Sequence, residues 1–279
     1  MDRNSRIKLL LPVIGCCALL MLSQIAADML FTIFIVAGMN IEGMPTAEAD
    51  AMLYEQLSAY SNEIMILSYA FALVGLCVWA KLAKKPFFEH TGLSLKTTKP
   101  IGILCLFAGV AANIWFGLMV GLIPWPDSWV EEYLEASSAL AGHSLPLEIL
   151  AVVVFAPLVE EILFRGMVFR YLRMALPAGA ALIFQGLLFG GMHGTMIWIV
   201  YASVLGCVFG YVRSRTGSLH ATILMHVGFN GGSYLFSYLA EQWADGGFAI
   251  LVGLIGSAAL FLLMLYGIEY RIDNEIEVD

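Results

Sequence analysis

Charge is what this sequence has least of. Only 13% of its 279 residues are Asp, Glu, Lys or Arg, where an ordinary soluble domain carries about a quarter. With 60% hydrophobic residues, there is too little polar surface to wrap a water-soluble globule of this length, so a soluble enzyme fold is excluded. Basic residues are scarcer than acidic ones, 14 Lys and Arg against 22 Asp and Glu for a net charge of −8. Without a basic stripe nucleic-acid binding is excluded, and low charge with high hydrophobicity excludes disorder. Cysteine offers no framework: Cys16, Cys17, Cys77, Cys105 and Cys207 all lie in apolar runs, and no C-x-x-C spacing occurs. They are read as small packing residues rather than disulfide partners or metal ligands. Internal repeats and low-complexity stretches are missing as well.

What is present is apolar length. Apolar runs, most of them roughly 17 to 25 residues and so long enough to cross a bilayer as helices, fall at about 9–38, 64–80, 101–123, 149–171, 178–191, 196–212, 219–239 and 248–270. The predicted fold class is therefore all-α, a polytopic transmembrane bundle of about eight helices around a polar intramembrane cavity. The first run follows Arg3, Arg6 and Lys8 but is too long for a cleaved signal peptide, and it reads as a signal anchor. The weakest division lies between the fifth and sixth runs, where Gly190, Gly191 and Gly194 surround His193. A short or re-entrant helix is an open alternative there, because irregular backbone at membrane depth survives where it lines a cavity.

Loop charges set the orientation. Arg3, Arg6 and Lys8; Lys81, Lys84, Lys85, Lys96 and Lys99; Arg165, Arg170 and Arg173; Arg213 and Arg215; and Arg271 all fall on one side under this division. The opposite loops hold acids, from Glu42, Glu48, Asp50, Glu55 and Glu63 through Asp127, Glu131, Glu132, Glu135 and Glu148 to Glu241 and Asp245. By the positive-inside rule both termini are cytoplasmic. In the external segment 124–146, Trp125, Trp129 and Tyr133 recur every four residues, as on one face of an amphipathic interfacial helix.

An ionisable group at membrane depth costs at least about 2.5 kcal/mol, so each one needs a partner or a task. Glu161 and Arg165 stand four apart on the fourth run and can pair on one helical face, while Glu160 points about 100° away and stays free for proton chemistry. Gln185, Phe189 and His193 share a face, as do His226 and Asn230. A base, a second proton-transfer group and neutral oxyanion donors are the parts that water attack on a carbonyl requires. Asp28 and Asn113 are assigned structural or cavity-lining roles, and His220, His90 and His143 interfacial or loop positions.

The three patterns E-E-x-x-x-R, F-x-x-x-H and H-x-x-x-N, in that order on successive apolar helices, resemble the type II CAAX prenyl endopeptidase and bacteriocin-immunity (CPBP/Abi) superfamily of intramembrane proteases. The resemblance covers about a third of the chain and divides it into a variable N-terminal portion of three helices (1–146), a catalytic helical core (147–240) and a final helix with an acidic cytoplasmic tail (241–279). It implies that Glu160 with His193 activates water, that His226 and Asn230 stabilise the oxyanion, and that Glu161 and Arg165 support them. The implied activity is hydrolysis of a peptide bond in a membrane peptide or lipidated protein, a prenylated CAAX-type substrate among them, in a bacterial plasma membrane.

No cofactor is preferred, although two His and two Glu also suit one divalent metal such as zinc, with Glu160, His193 and His226 as ligands. A proton-coupled transporter or channel would bury similar groups, against which stands the lack of inverted repeats. A non-catalytic immunity or scaffold protein is the third reading. For the topology, cysteine labelling in intact cells or vesicles is expected to find Glu135→Cys outside and Lys85→Cys inside. The reverse pattern would overturn the orientation.

Overall fold

The computed structural model describes residues 3–39, 44–84, 86–93, 97–141, 144–243 and 246–275. Glu42, Lys85, Lys96, His143, Asp245, the last four residues and the side chains of Arg3, Arg6 and His90 lie outside the described set. All regular elements among the described residues are helical. They are α1 (Arg3–Gly38), α2 (Thr46–Ala59), α3 (Ser61–Leu82), α4 (Phe87–Thr91), α5 (Lys99–Leu122) and α6 (Asp127–Leu140). A continuous rod over 145–175 follows as α7, then α8 (Ala178–Gly190), α9 (Met196–Thr216), α10 (Leu219–Trp243) and α11 (Gly247–Glu275).

Each apolar run of the sequence coincides with one of these helices. Among the described residues five spans are long and apolar enough to cross a membrane, within α1, α3, α5, α9 and α11, and α8 is a shorter apolar helix. The polar groups of the motifs concentrate on α7 and α10. Leu11, Ile14, Leu22, Ile33 and Phe34 on α1, and Leu262, Leu263 and Tyr266 on α11, turn outward and exposed, the surface that hydrocarbon rather than water would cover. The chain is an integral membrane protein.

The helix α2 and the short helix α4 were not foreseen. The acidic stretch Thr46–Ala59 folds as α2 and carries no buried residue. It meets α6 through the Tyr54 hydroxyl, which donates to Glu135 Oε1 at 2.7 Å, and this bond pushes the Tyr54 phenol above its ordinary range. α6 is the expected amphipathic segment, but Trp125 precedes it: its indole N–H donates to the Val120 carbonyl at 3.0 Å, and its ring lies 6.1 Å from that of Trp129. Tyr133 meets Trp198 of α9 edge-on at 5.9 Å, so the segment is docked on the bundle.

Burial divides the interior into two cores. One gathers Val13, Cys16 and Leu20 of α1, Tyr69, Ala72 and Leu76 of α3, and Val159, Leu163 and Phe164 of α7. The other joins Cys105 and Ala108 of α5, Phe209 of α9, Met225 and Phe229 of α10, and Ile268 of α11. Helix association in lipid lacks a hydrophobic drive and depends on close packing of small residues. The α5–α10 crossing is the clearest case, because a Cβ on Gly109 would sit 1.9 Å from the Met225 carbonyl oxygen and one on Gly228 2.0 Å from that of Leu106. Gly186 and Gly206 make a similar contact between α8 and α9, at 2.7 Å. All five cysteines are free, with Cys16 and Cys105 buried and Cys77 turned outward.

Asp28 is exposed on α1, lining a shallow depression with Ile25, Met29, Thr32 and Ile33. Asn113 stands at the α5–α10 crossing beside Gly232, its Oδ1 buried without a hydrogen-bond partner among the described residues. Gly228→Leu is expected to lower the melting temperature in detergent sharply, since overpacking a tight contact costs about 1–3 kcal/mol or more. An unchanged melting temperature would mean that the two backbones do not approach so closely.

Candidate active site

The site is built around an irregularity in α7. Pro157 has no N–H, and its ring would collide with the Val153 carbonyl in a regular α-helix. The rod opens the preceding turn instead: Ile149–Phe155 is π-helical, and the Ala156 N–H donates to the Ala151 carbonyl five residues back. A second π-helical stretch, Ile162–Val168, begins directly after Glu161. Glu160 and Glu161 close the short α-helical turn Ala156–Glu161 between these widened segments, an arrangement that recurs at functional sites. Gly166 lets the second stretch press on α4, since a Cβ there would lie 2.7 Å from the Thr91 carbonyl oxygen.

Glu161 is the junction of the cluster. Arg165 Nη1 donates to its Oε1 at 2.8 Å, and both side chains are wholly buried. The same oxygen lies 3.0 Å from His226 Nδ1 on α10. A carboxylate paired with arginine only accepts, so that imidazole nitrogen carries the proton and donates. Arg165 Nη2 also donates to the Gly206 carbonyl of α9 at 3.2 Å. The expected i,i+4 pair is therefore present and extends further, through His226 to α10 and through Gly206 to α9.

Glu160 is disposed differently. Its side chain keeps 12% exposure against 0% for Glu161. Its Oε2 faces His226 Nε2 at 3.8 Å, too long for a direct hydrogen bond and a separation at which a bridging water is to be considered. Its Oε1 accepts a hydrogen bond from the Tyr69 hydroxyl of α3. Motif reading did not find Tyr69. It lies 91 residues away in a run that resembles nothing specific, and the available signal was that a buried tyrosine hydroxyl needs a partner.

An aromatic frame encloses these groups. The Phe189 ring lies 4.2 Å from the Arg165 guanidinium carbon, edge-on to His193 at 4.8 Å and to His226 at 5.8 Å. Phe209 faces Arg165 at 5.2 Å and His226 at 5.1 Å. Phe189 belongs to one core and Phe209 to the other, so the polar cluster occupies the seam between them.

His193 lies just past the end of α8 and still meets Phe189, as the four-residue spacing implies. α8 ends at Gly190, and Gly194 adopts φ +76°, the left-handed region closed to most side chains. The turn leaves His193 held by Nδ1, which donates to the Phe189 carbonyl oxygen at 2.8 Å. The carbonyl can only accept, so Nδ1 bears the proton and Nε2 of the neutral ring keeps a free lone pair. Gln185, expected on the same face, is buried and donates instead to the Leu182 carbonyl at 3.1 Å and to Gly206. Asn230 donates through Nδ2 to the Val152 carbonyl of α7 at 2.7 Å, leaving one amide hydrogen uncommitted.

Zinc asks for three or four N, O or S donors at about 2.0–2.3 Å in tetrahedral array. Among the described residues no three His, Cys, Asp or Glu side chains converge in a way that could hold an ion. The arrangement as it stands does not fit a resident metal.

Residues 142–232 match the family model described as type II CAAX prenyl endopeptidase Rce1-like. The match contains all three motifs and bears out the resemblance read from them. No curated protein and no solved structure gives a significant match.

Removing one partner from a buried ion pair strands the other, at a cost of about 3–5 kcal/mol. Arg165→Leu and Glu161→Gln are therefore expected to lower the melting temperature of the purified protein markedly. Equal melting of wild type and Arg165→Leu would remove the pairing from the account.

Proposed function

We propose, from the Rce1-like character of residues 142–232, that the chain hydrolyses a peptide bond in a membrane-associated substrate with water activated by Glu160. The observation that carries this reading is the unequal treatment of two adjacent carboxylates. Glu161 is fully buried and committed to Arg165 and His226, whereas Glu160 keeps partial exposure and directs one oxygen towards His226 Nε2.

Glu160 acts as general base, taking a proton from water as its oxygen attacks the scissile carbonyl. The free Nε2 of His193 accepts the water's second hydrogen and orients it. His226, held by Glu161 at Nδ1, donates through protonated Nε2 to the oxyanion of the tetrahedral intermediate, with the remaining Asn230 amide hydrogen as a second donor. Glu160 then returns its proton to the leaving amine nitrogen as the C–N bond breaks, which balances the reaction without any other reactant. Charge counting supports this distribution. Arg165 offsets Glu161, and one proton on the Glu160–His226 pair offsets the remaining carboxylate, so the site stays near neutral inside an apolar seam.

Substrate class is the finer part of the proposal. A prenylated C-terminal peptide is the first probe, because the matched family is that of CAAX prenyl endopeptidases, and an unprenylated membrane-tethered peptide is the second. Cleavage of either by detergent-purified protein, lost in Glu160→Gln and His193→Ala by at least about 10²-fold and retained in strong chelator, is the expected result. Retention of most activity in either variant would sink the role assignments. Loss on chelation with recovery on zinc alone would make Glu160, His193 and His226 metal ligands. Transport of protons without cleavage would favour the transporter reading, and neither activity would leave the immunity or scaffold reading.

A further inference from the structure

We propose that Tyr69 is a positioning residue for Glu160, so that the N-terminal portion supplies part of the hydrolytic machinery; this rests on Glu160 being the base. A glutamate carboxylate rotates freely about its last bond unless something holds it. Here the Tyr69 hydroxyl holds Oε1, which leaves Oε2 as the oxygen turned to His226 Nε2. With His226 fixed from behind by Glu161, the base and the oxyanion donor are each anchored on the side away from the other.

Tyr69 is well placed to act as a fixed post. It is 9% exposed, and its helix buries Ala72 and Leu76 in the core that also holds Val159 and Leu163 on either side of the carboxylates. A phenol buried at this depth must satisfy its hydroxyl, and a carboxylate is a stronger acceptor than a neutral group. The contact aligns α3 with the functional turn of α7. If Tyr69 mattered only as core filling, removing one oxygen would change stability or nothing, because the ring of phenylalanine fills the same space.

The test is Tyr69→Phe in the full chain, with the prenylated and unprenylated tethered peptides as probes. The expected result is a fall in kcat of about ten- to a hundredfold, the worth of a hydrogen bond to a charged group, with KM and melting temperature close to wild type. Unchanged kcat, or kcat falling only in step with melting temperature, would overturn the positioning role. A second measurement does not depend on turnover: the infrared carboxyl band that disappears in Glu160→Gln is expected to shift in Tyr69→Phe. A band that stays in place would refute the contact. Cleavage by wild type that survives Glu160→Gln would overturn the base assignment and the positioning role together. Absence of cleavage by wild type would overturn the hydrolytic reading, and the band would then decide the Tyr69–Glu160 contact alone.

Discussion

The electrostatics of the bundle close on a single oxygen, Glu161 Oε1, which receives both Arg165 and His226. Burying a charge in an apolar interior is costly unless it is paired, and each partner of this oxygen reaches another helix. Arg165 carries the network to the backbone of α9, and His226 carries it to α10. Three helices are thereby fixed against each other at the same depth. The cost of burying the ions is offset only when all three are in place, which makes their relative position specific where apolar packing alone would tolerate sliding.

The network can occupy the seam between two cores because the helices around it approach closely elsewhere. Gly109 and Gly228 bring the backbones of α5 and α10 together, and Gly186 and Gly206 do the same for α8 and α9. The second contact places the Gly206 carbonyl where Arg165 and Gln185 both reach it. Phe189 and Phe209 then close over the guanidinium from the two sides. An arginine between two aromatic faces keeps favourable contacts with little water, so the aromatic frame and the ion network are mutually dependent.

What was legible in the sequence followed from local rules. Apolar run length located the membrane helices, and i,i+4 spacing on α7 located the Glu161–Arg165 pair, because both properties belong to one helix. Partnerships between helices were not legible. Tyr69 meets Glu160 across 91 residues, and His226 meets Glu161 across 65; no spacing rule links such positions. His193 keeps its four-residue relation to Phe189, with the rings 4.8 Å apart, although the α-helix ends at Gly190 and Gly194 redirects the chain after it. The widened turn before Pro157 was not read from the sequence, where a proline fixes no such form, since a kink and a widened turn both relieve the same clash.

The rigidity of this arrangement bears on what the site is suited to do. Alternating access requires a binding site whose walls separate and re-form as one bundle rocks against another. Here Arg165, Glu161 and His226 link three helices through buried hydrogen bonds, and opening the seam would expose paired ions one partner at a time, each at the cost of an unmatched charge. Hydrolysis asks the opposite of its site: donors and base held in place before charge develops, so that little reorganisation accompanies the reaction. Glu160, partly exposed beside a fixed network, is the one carboxylate of the pair that a water molecule and a substrate carbonyl could reach without dismantling the structure that holds it. The physical demands of catalysis and of keeping ions stable in an apolar bundle are met by the same set of contacts, which favours the hydrolytic reading over transport.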